Sequence, residues 1–283
     1  MMANILYGKE VAQKYLKKAR QEILRLSKDS EALPISLATL RIGNTKDSIL
    51  YENYLKKLLQ EVTIRFIPNV YPENISERDL MRAMGKLAKN VAVTGLMLFS
   101  PLPKQIHHAN VFEAMPLNKD VEGRTFLKSH FGIFSPTANA VMQLIDASGV
   151  DLTGKEAVVV GHSDLVGKPT AALLMDRHST VTVCQKETRN LKSHVQRADI
   201  LVTAVGKPQL IPGSWIKRGA VVIDVGENNE QGKIVGDVDY ETAKKRAAYL
   251  TPVPGGVGPL TNVMLIKNLI QLYKQQKAHN GNY

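Results

Sequence analysis

The chain has one cysteine, Cys184, in 283 residues. No intramolecular disulfide can form, and the apolar run around Cys184 suggests a buried thiol in a reducing compartment. No stretch approaches the roughly 20 apolar residues of a membrane span. Residues 1–6 lack the apolar core of a secretory leader. The expectation is a cytoplasmic protein with no membrane contact. Zinc-ligand spacing, a basic terminal arm and an aromatic RNA-binding signature are missing as well. That argues against nucleic acid as a partner and against a metal. There is no internal repeat and no low-complexity tract.

What is present has the composition of a soluble globular protein, 44% hydrophobic and 22% charged. The length allows two domains, each with its own core. Lys and Arg outnumber Asp and Glu, 37 to 26, for a net charge of +11. The basic residues are spread along the polar faces of predicted helices, among them Lys14, Lys18, Lys56, Lys57, Lys244 and Arg246. Two readings follow: a solvated basic surface, or a field that favours a small molecule with phosphates or several carboxylates.

Apolar spacing predicts helices over residues 9–26, 47–62 and 76–89, with Ser76 as N-cap of the third. Strands are predicted over 35–40, 63–67 and 91–99. The alternation continues with strands at 157–160, 180–184, 200–204 and 220–225 and helices at 166–177 and 191–197. Alternation of this kind implies an α/β fold with a parallel sheet covered by helices. Val- and Ile-rich strands without a polar period imply burial on both faces.

The segment Gly161-His162-Ser163-Asp164-Leu165-Val166-Gly167-Lys168-Pro169 follows a predicted strand and opens a helix. Gly161 permits a sharp turn and a close backbone approach. N–H groups and the dipole at the helix start face a pyrophosphate, Lys168 adds positive charge, and Pro169 suits the first turn. An ordinary tight strand-to-helix turn is the alternative. Two further strands end in Val205-Gly206-Lys207-Pro208 and Val225-Gly226-Glu227, and small residues there leave room for a dinucleotide. The strand ending at Cys184 runs into Gln185-Lys186 with no acid at its tip. Lys186, with His162 or Arg189, suits a 2′-phosphate, which favours NADP over NAD.

The run Thr251-Pro252-Val253-Pro254-Gly255-Gly256-Val257-Gly258-Pro259-Leu260-Thr261 resembles the signature of the methylenetetrahydrofolate dehydrogenase/cyclohydrolase family, the FolD enzymes. The glycine loop is similar to that family's G-x-S-x-x-V-G-x-P, with His162 where arginine is common. Gly8-Lys9, Pro101-Leu102-Pro103, Lys119-Asp120-Val121, Gly206-Lys207-Pro208, Ile223-Asp224-Val225-Gly226 and Val235-Gly236-Asp237-Val238 match too. The resemblance implies a substrate domain over residues 1–138 plus 262–283, whose last helix packs back on it. It also implies a Rossmann-type doubly wound domain over 139–261, a folate-type substrate between the two, and a homodimer through the Rossmann domain. The residues it implies for cofactor are Gly161, His162, Ser163, Val166, Gly167, Lys168, Pro169, Lys186, Val205, Gly206, Gly226 and Glu227. For substrate they are Ser48, Tyr51, Phe99, Pro101, Glu122, Gly255, Gly256, Pro259 and Thr261, with Tyr51 and Glu122 as the catalytic pair.

The chain departs from the family at several of these positions. The family's S-x-x-Y-x-x-x-K keeps Ser48 and Tyr51 here, but Leu55 takes the lysine position. Lys56 is about 100° round the helix and points elsewhere. The glutamine that partners that lysine is replaced by Phe99. D-V-D-G becomes Asp120-Val121-Glu122-Gly123. The threonine-proline-x-glycine turn becomes Thr137-Ala138-Asn139-Ala140, and Glu227 replaces isoleucine. Losing one of two bonded polar groups costs roughly 1–3 kcal/mol, whereas replacing both can be nearly neutral. Leu55 and Phe99 therefore read as a compensated conversion. Hydride removal needs positioning and a cofactor, while hydrolysis of a methenyl group needs a tuned proton carrier. The expectation is a dehydrogenase with cyclohydrolase activity lost or weak. The alternatives are a non-catalytic cofactor- or folate-binding protein and a dehydrogenase on another one-carbon carrier.

Overall fold

The protein is described by a computed structural model covering residues 2–28, 33–125 and 132–280. Its elements begin β1 (Asn4–Ile5), α1 (Gly8–Leu26), β2 (Ser36–Ile42), α2 (Lys46–Glu61), β3 (Arg65–Tyr71), α3 (Glu77–Lys89), β4 (Gly95–Leu98) and α4 (His108–Glu113). They continue with α5 (Pro136–Ala147), β5 (Glu156–Val160), α6 (Gly167–Asp176), β6 (Thr180–Cys184), α7 (Leu191–Arg197), β7 (Ile200–Thr203) and β8 (Val221–Asp224). The last are β9 (Asn228–Glu230), β10 (Lys233–Val235), α8 (Tyr240–Ala243), β11 (Tyr249–Leu250) and α9 (Val257–Asn280). None of the described helices is long and apolar enough to cross a membrane.

The chain divides into two compact units, one of Met1–Tyr15 with Ser135–Met264 and one of Leu16–Phe134 with Leu265–Tyr283. The first is an α/β unit around a six-stranded parallel sheet of order β1-β11-β8-β7-β5-β6. Strands β7 and β8 are buried at every residue, as their runs of three aliphatic residues demand. Strand β6 is the edge and exposes Val183, which departs from the two-sided burial expected of all these strands. Cys184 at its end is buried, and burial raises its thiol.

Residues 1–15 also differ from expectation. They were assigned to the N-terminal domain, but β1 pairs with β11 and extends the Rossmann sheet. A two-residue strand leaves almost no periodic trace for sequence to reveal. A second correction concerns Thr137–Ala140, read as an eroded turn. They lie in α5, where Ser135 is the N-cap, accepting from Ala138 N at 3.0 Å, and Pro136 opens the first turn.

The other unit is built on a three-stranded parallel sheet of order β3-β2-β4. All seven residues of β2 are buried. The later part of α9 completes this core, with Leu265, Ile266, Leu269 and Leu272 packed in one cluster with Leu37, Leu55, Leu59 and Phe99. Gly95 opens β4 there because a Cβ would stand 2.7 Å from the Leu269 side chain.

Candidate functional site

In the Rossmann unit β5 delivers the chain to Gly161 at φ +118°, a backbone conformation that favours glycine. A Cβ at Gly161 would stand 2.3 Å from the Ala204 carbonyl oxygen, and one at Gly167 2.1 Å from the Gly161 carbonyl oxygen. The loop therefore closes tightly on the next strand and on its own helix. Ser163 braces it: its hydroxyl accepts from Val166 N at 3.2 Å and its carbonyl from Lys168 N at 3.1 Å. Beside this loop lies a cavity of about 510 Å³. Gly161, His162 and Ser163 line it from β5, Gln185, Lys186 and Thr188 from β6, and Val205 and Lys207 from β7. No carboxylate is among the lining residues, so three basic side chains face the space unopposed.

The cavity sorts the expected cofactor residues. Gly161, His162, Ser163, Lys186 and Val205 line it. Gly167 and Pro169 are buried in the helix start, and Val166 is the N-cap of α6. Lys168 does not line the cavity; its ammonium pairs with Asp164 at 2.6 Å, four residues back. Lys207 joins Lys186 as a cation on the wall in its place, beside Gly206, at φ +65°. Gly226 also needs a different explanation. The space its missing Cβ leaves is filled by the Asp237 carboxylate, 2.2 Å from that Cβ position at Cγ, rather than by room for a dinucleotide.

Asp237 was not among the expected site residues, yet it shapes the cavity wall. Its Oδ2 accepts from Val205 N at 2.7 Å and Gly206 N at 3.3 Å. Its Oδ1 accepts from Lys207 N at 2.8 Å and the Asn228 amide at 3.1 Å. Three successive N–H groups form a nest and the carboxylate fills it. Asp224 sits next to it, accepting from the Thr203 hydroxyl, Gly226 N, Asp237 N and Val238 N at 2.8–3.1 Å. Both acids fall inside segments that match the family's runs, which is the signal that could have found them.

Burial pushes the Asp224 carboxyl from 3.8 up to about 6, against its backbone donors, and the Asp237 charge adds to the rise. A carboxyl raised by folding contributes stability that is complete below about pH 4 and is lost as pH rises through about 6. Between pH 4.5 and 7.5 wild type should therefore lose about 2 kcal/mol relative to Asp224→Asn. Urea unfolding of both proteins at the two pH values measures this, and parallel pH dependences would contradict it.

A shallow cleft in the same unit is lined by Asp224 and Glu227 with Pro254, Gly255 and Gly256. Gly255 has φ +109°, and its carbonyl accepts from Gly8 N at 2.9 Å. Pro259 and Thr261 lie in the first turns of α9, and the Thr261 hydroxyl donates to the Val257 carbonyl at 3.3 Å. That bond is internal to the helix, so it accounts for Thr261 without a ligand.

In the other unit α2 carries the expected substrate residues. Thr45 is its N-cap, and Ser48 is taken up in that cap, donating to the Thr45 carbonyl at 2.9 Å. Just before it, Arg41 donates to Glu52 at 2.9 Å, to the Gly43 carbonyl at 2.6 Å and to Asn44 at 2.7 Å, which fixes the helix entry. Tyr51 and Leu55, four apart, share a helix face. The Tyr51 ring meets Phe99 at 5.5 Å between centroids. Leu55 is fully buried and Phe99 nearly so, in one apolar cluster. Burial raises the Tyr51 phenol, with the Glu122 charge adding to it.

Glu122 is held by Arg124, with Nε to Oε2 at 3.1 Å and Nη2 to Oε1 at 3.3 Å. Burial raises its carboxyl, while Arg124 pulls it down. The guanidinium also lies 4.0 Å over the Phe112 ring. Tyr51, Phe99 and Glu122 are thus brought together, with Leu55 behind them. Pro101, after a cis bond from Ser100, is exposed. Arg124 was not expected, since nothing in the local sequence pairs it with Glu122.

The fold and these two sites define a nucleotide-binding α/β enzyme scaffold with a separate acid- and aromatic-lined unit. The chain belongs to the tetrahydrofolate dehydrogenase/cyclohydrolase family: its catalytic domain matches residues 6–122 and its NAD(P)-binding domain residues 135–277. It is 44% identical over 285 residues to the bifunctional protein FolD of Acetivibrio thermocellus, covering 98% of this chain and 99% of that protein. Among solved structures it is similar to the bifunctional FolD enzyme of Campylobacter jejuni, with a TM-score of 0.92, 33% identity and coverage of 97% and 99%. The FolD of Trypanosoma brucei, solved with NADP cofactor and an inhibitor, has a TM-score of 0.90, 34% identity and coverage of 98% and 99%.

Proposed function

We propose that the chain oxidises 5,10-methylenetetrahydrofolate with a nicotinamide cofactor and has lost most or all of the hydrolysis of the methenyl product. The observation that carries this is the burial of Leu55 and Phe99 in one apolar cluster against Tyr51. Hydrolysis needs a group that moves a proton, and neither side chain at those two positions can. In the Rossmann unit the dinucleotide cavity has a closed glycine loop and His162, Lys186 and Lys207 on its wall.

The residues present fit a dinucleotide. A cavity lined by basic groups and free of carboxylates suits phosphates, and it suits a 2′-phosphate better than bare ribose hydroxyls, which favours NADP. When bound, the nicotinamide supplies the hydride acceptor. The chain's own residues position and hold. Asp237 fixes the Val205–Lys207 turn that walls the cavity. Tyr51 offers an aromatic face to a folate ring, Ser48 braces the Thr45 cap of the helix that carries it, and Glu122, fixed by Arg124, offers a carboxylate to the ring's N–H edge. A homodimer through the Rossmann unit and a cytoplasmic location belong to the same proposal.

The test is cofactor reduction. Purified protein given methylenetetrahydrofolate and NADP should produce the absorbance of reduced nicotinamide. No reduction with either NADP or NAD would remove the dehydrogenase from the account.

A further inference from the structure

Glu227 is an exposed carboxylate that the proposed function leaves without a role. It stands three residues past Asp224, the last residue of β8, and lines the cleft shared with Pro254, Gly255 and Gly256, beyond the end of β11. Its Oε1 lies 3.2 Å from where a Cβ of Gly258 would stand, so the absence of a side chain there lets the carboxylate lie over the first turn of α9. The N-terminus of a 24-residue helix attracts negative charge, which holds the carboxylate at the cleft.

In a doubly wound sheet the two halves of a dinucleotide lie outside the carboxyl ends of the strands, on either side of the point where strand order reverses. Here that point lies between β5 and β7. The adenosine half goes with the glycine loop and the following strand, which is the basic cavity beyond β5 and β6. The nicotinamide half then falls beyond β7, β8 and β11, at the cleft that Glu227 lines.

We infer that Glu227 is a specificity-determining residue for the redox state of the cofactor, favouring the oxidised form over the reduced one. This rests on the cofactor reading above. The oxidised nicotinamide ring carries a positive charge and the reduced ring is neutral; the two forms are otherwise alike. A water-screened carboxylate close to the ring would stabilise the cation by roughly threefold to tenfold in affinity. The reduced product then leaves more readily than it would from the same cleft without the Glu227 charge. The Asp224 carboxylate is tied to Thr203 and backbone donors and stays the same in any comparison at residue 227.

The experiment is equilibrium titration of the full chain with NADP and separately with NADPH, followed calorimetrically, for wild type, Glu227→Gln and Glu227→Asp. Glu227→Gln should lower the preference for the oxidised form by roughly threefold to tenfold, mainly by weakening NADP. Glu227→Asp should keep most of the preference, and added salt should shrink the difference between wild type and Glu227→Gln. Both forms binding with the same affinity ratio in wild type and Glu227→Gln would overturn the inference while leaving the cofactor reading intact. Binding of neither form to wild type would overturn both.

Discussion

Leu55→Lys alone should cost about 3–5 kcal/mol of folding stability, because it places a charge without a partner in an apolar cluster. Leu55 has no exposed surface, and its neighbours in the core include Leu59, Ile64, Phe99 and Leu269. Phe99→Gln alone should cost about 3 kcal/mol through the lost ring volume. Together the two changes give the ammonium a hydrogen-bonding partner. The double variant should be more stable than the sum of the single losses by about 1–3 kcal/mol. It should also hydrolyse methenyltetrahydrofolate faster than wild type. Denaturant unfolding of the four proteins supplies the cycle, and loss of the methenyl absorbance supplies the activity. Strictly additive destabilisation with no hydrolysis gained would mean that Leu55 and Phe99 do not replace a functional pair.

Asp237→Ala should cost about 4 kcal/mol and weaken cofactor binding by more than tenfold. The carboxylate satisfies the N–H groups of Val205, Gly206 and Lys207 and the Asn228 amide. A buried donor left without an acceptor costs about 1–3 kcal/mol; Gly206 and Lys207 are exposed, so water recovers part of that. Asp237→Asn keeps the volume but turns an amide N–H toward a nest of N–H donors, so it should fall between wild type and alanine. Urea unfolding and NADP titration read the two effects. Wild-type affinity in a folded Asp237→Ala protein would show that the Val205–Lys207 turn does not need the clasp.

The parts of this structure that sequence displays are the locally determined ones. β7 and β8 are read from the aliphatic runs Ile200-Leu201-Val202 and Val221-Val222-Ile223, because a strand buried on both faces has no polar period. The glycine loop is read from Gly161 and Gly167, whose missing side chains the backbone packing requires. The face of α2 is read from the four-residue step between Tyr51 and Leu55. Parts decided by distant partners are hidden. Asp237 reaches a turn 30 to 32 residues earlier in the chain, and β1 joins a strand near the far end of the sequence. The Arg124–Glu122 pair is local but leaves no periodic mark. Two further details are local: Asp164 stands four residues before Lys168, the spacing of a helical ion pair, and Ser135-Pro136 is a helix start.

The central claim is that oxidation persists where hydrolysis has gone. The most direct measurement places both reactions on one preparation: cofactor reduction with methylenetetrahydrofolate, and decay of methenyltetrahydrofolate without cofactor, each against a blank without protein. The account predicts reduction well above the blank and methenyl decay at the blank rate. Protein-dependent hydrolysis at a rate comparable to oxidation would contradict it.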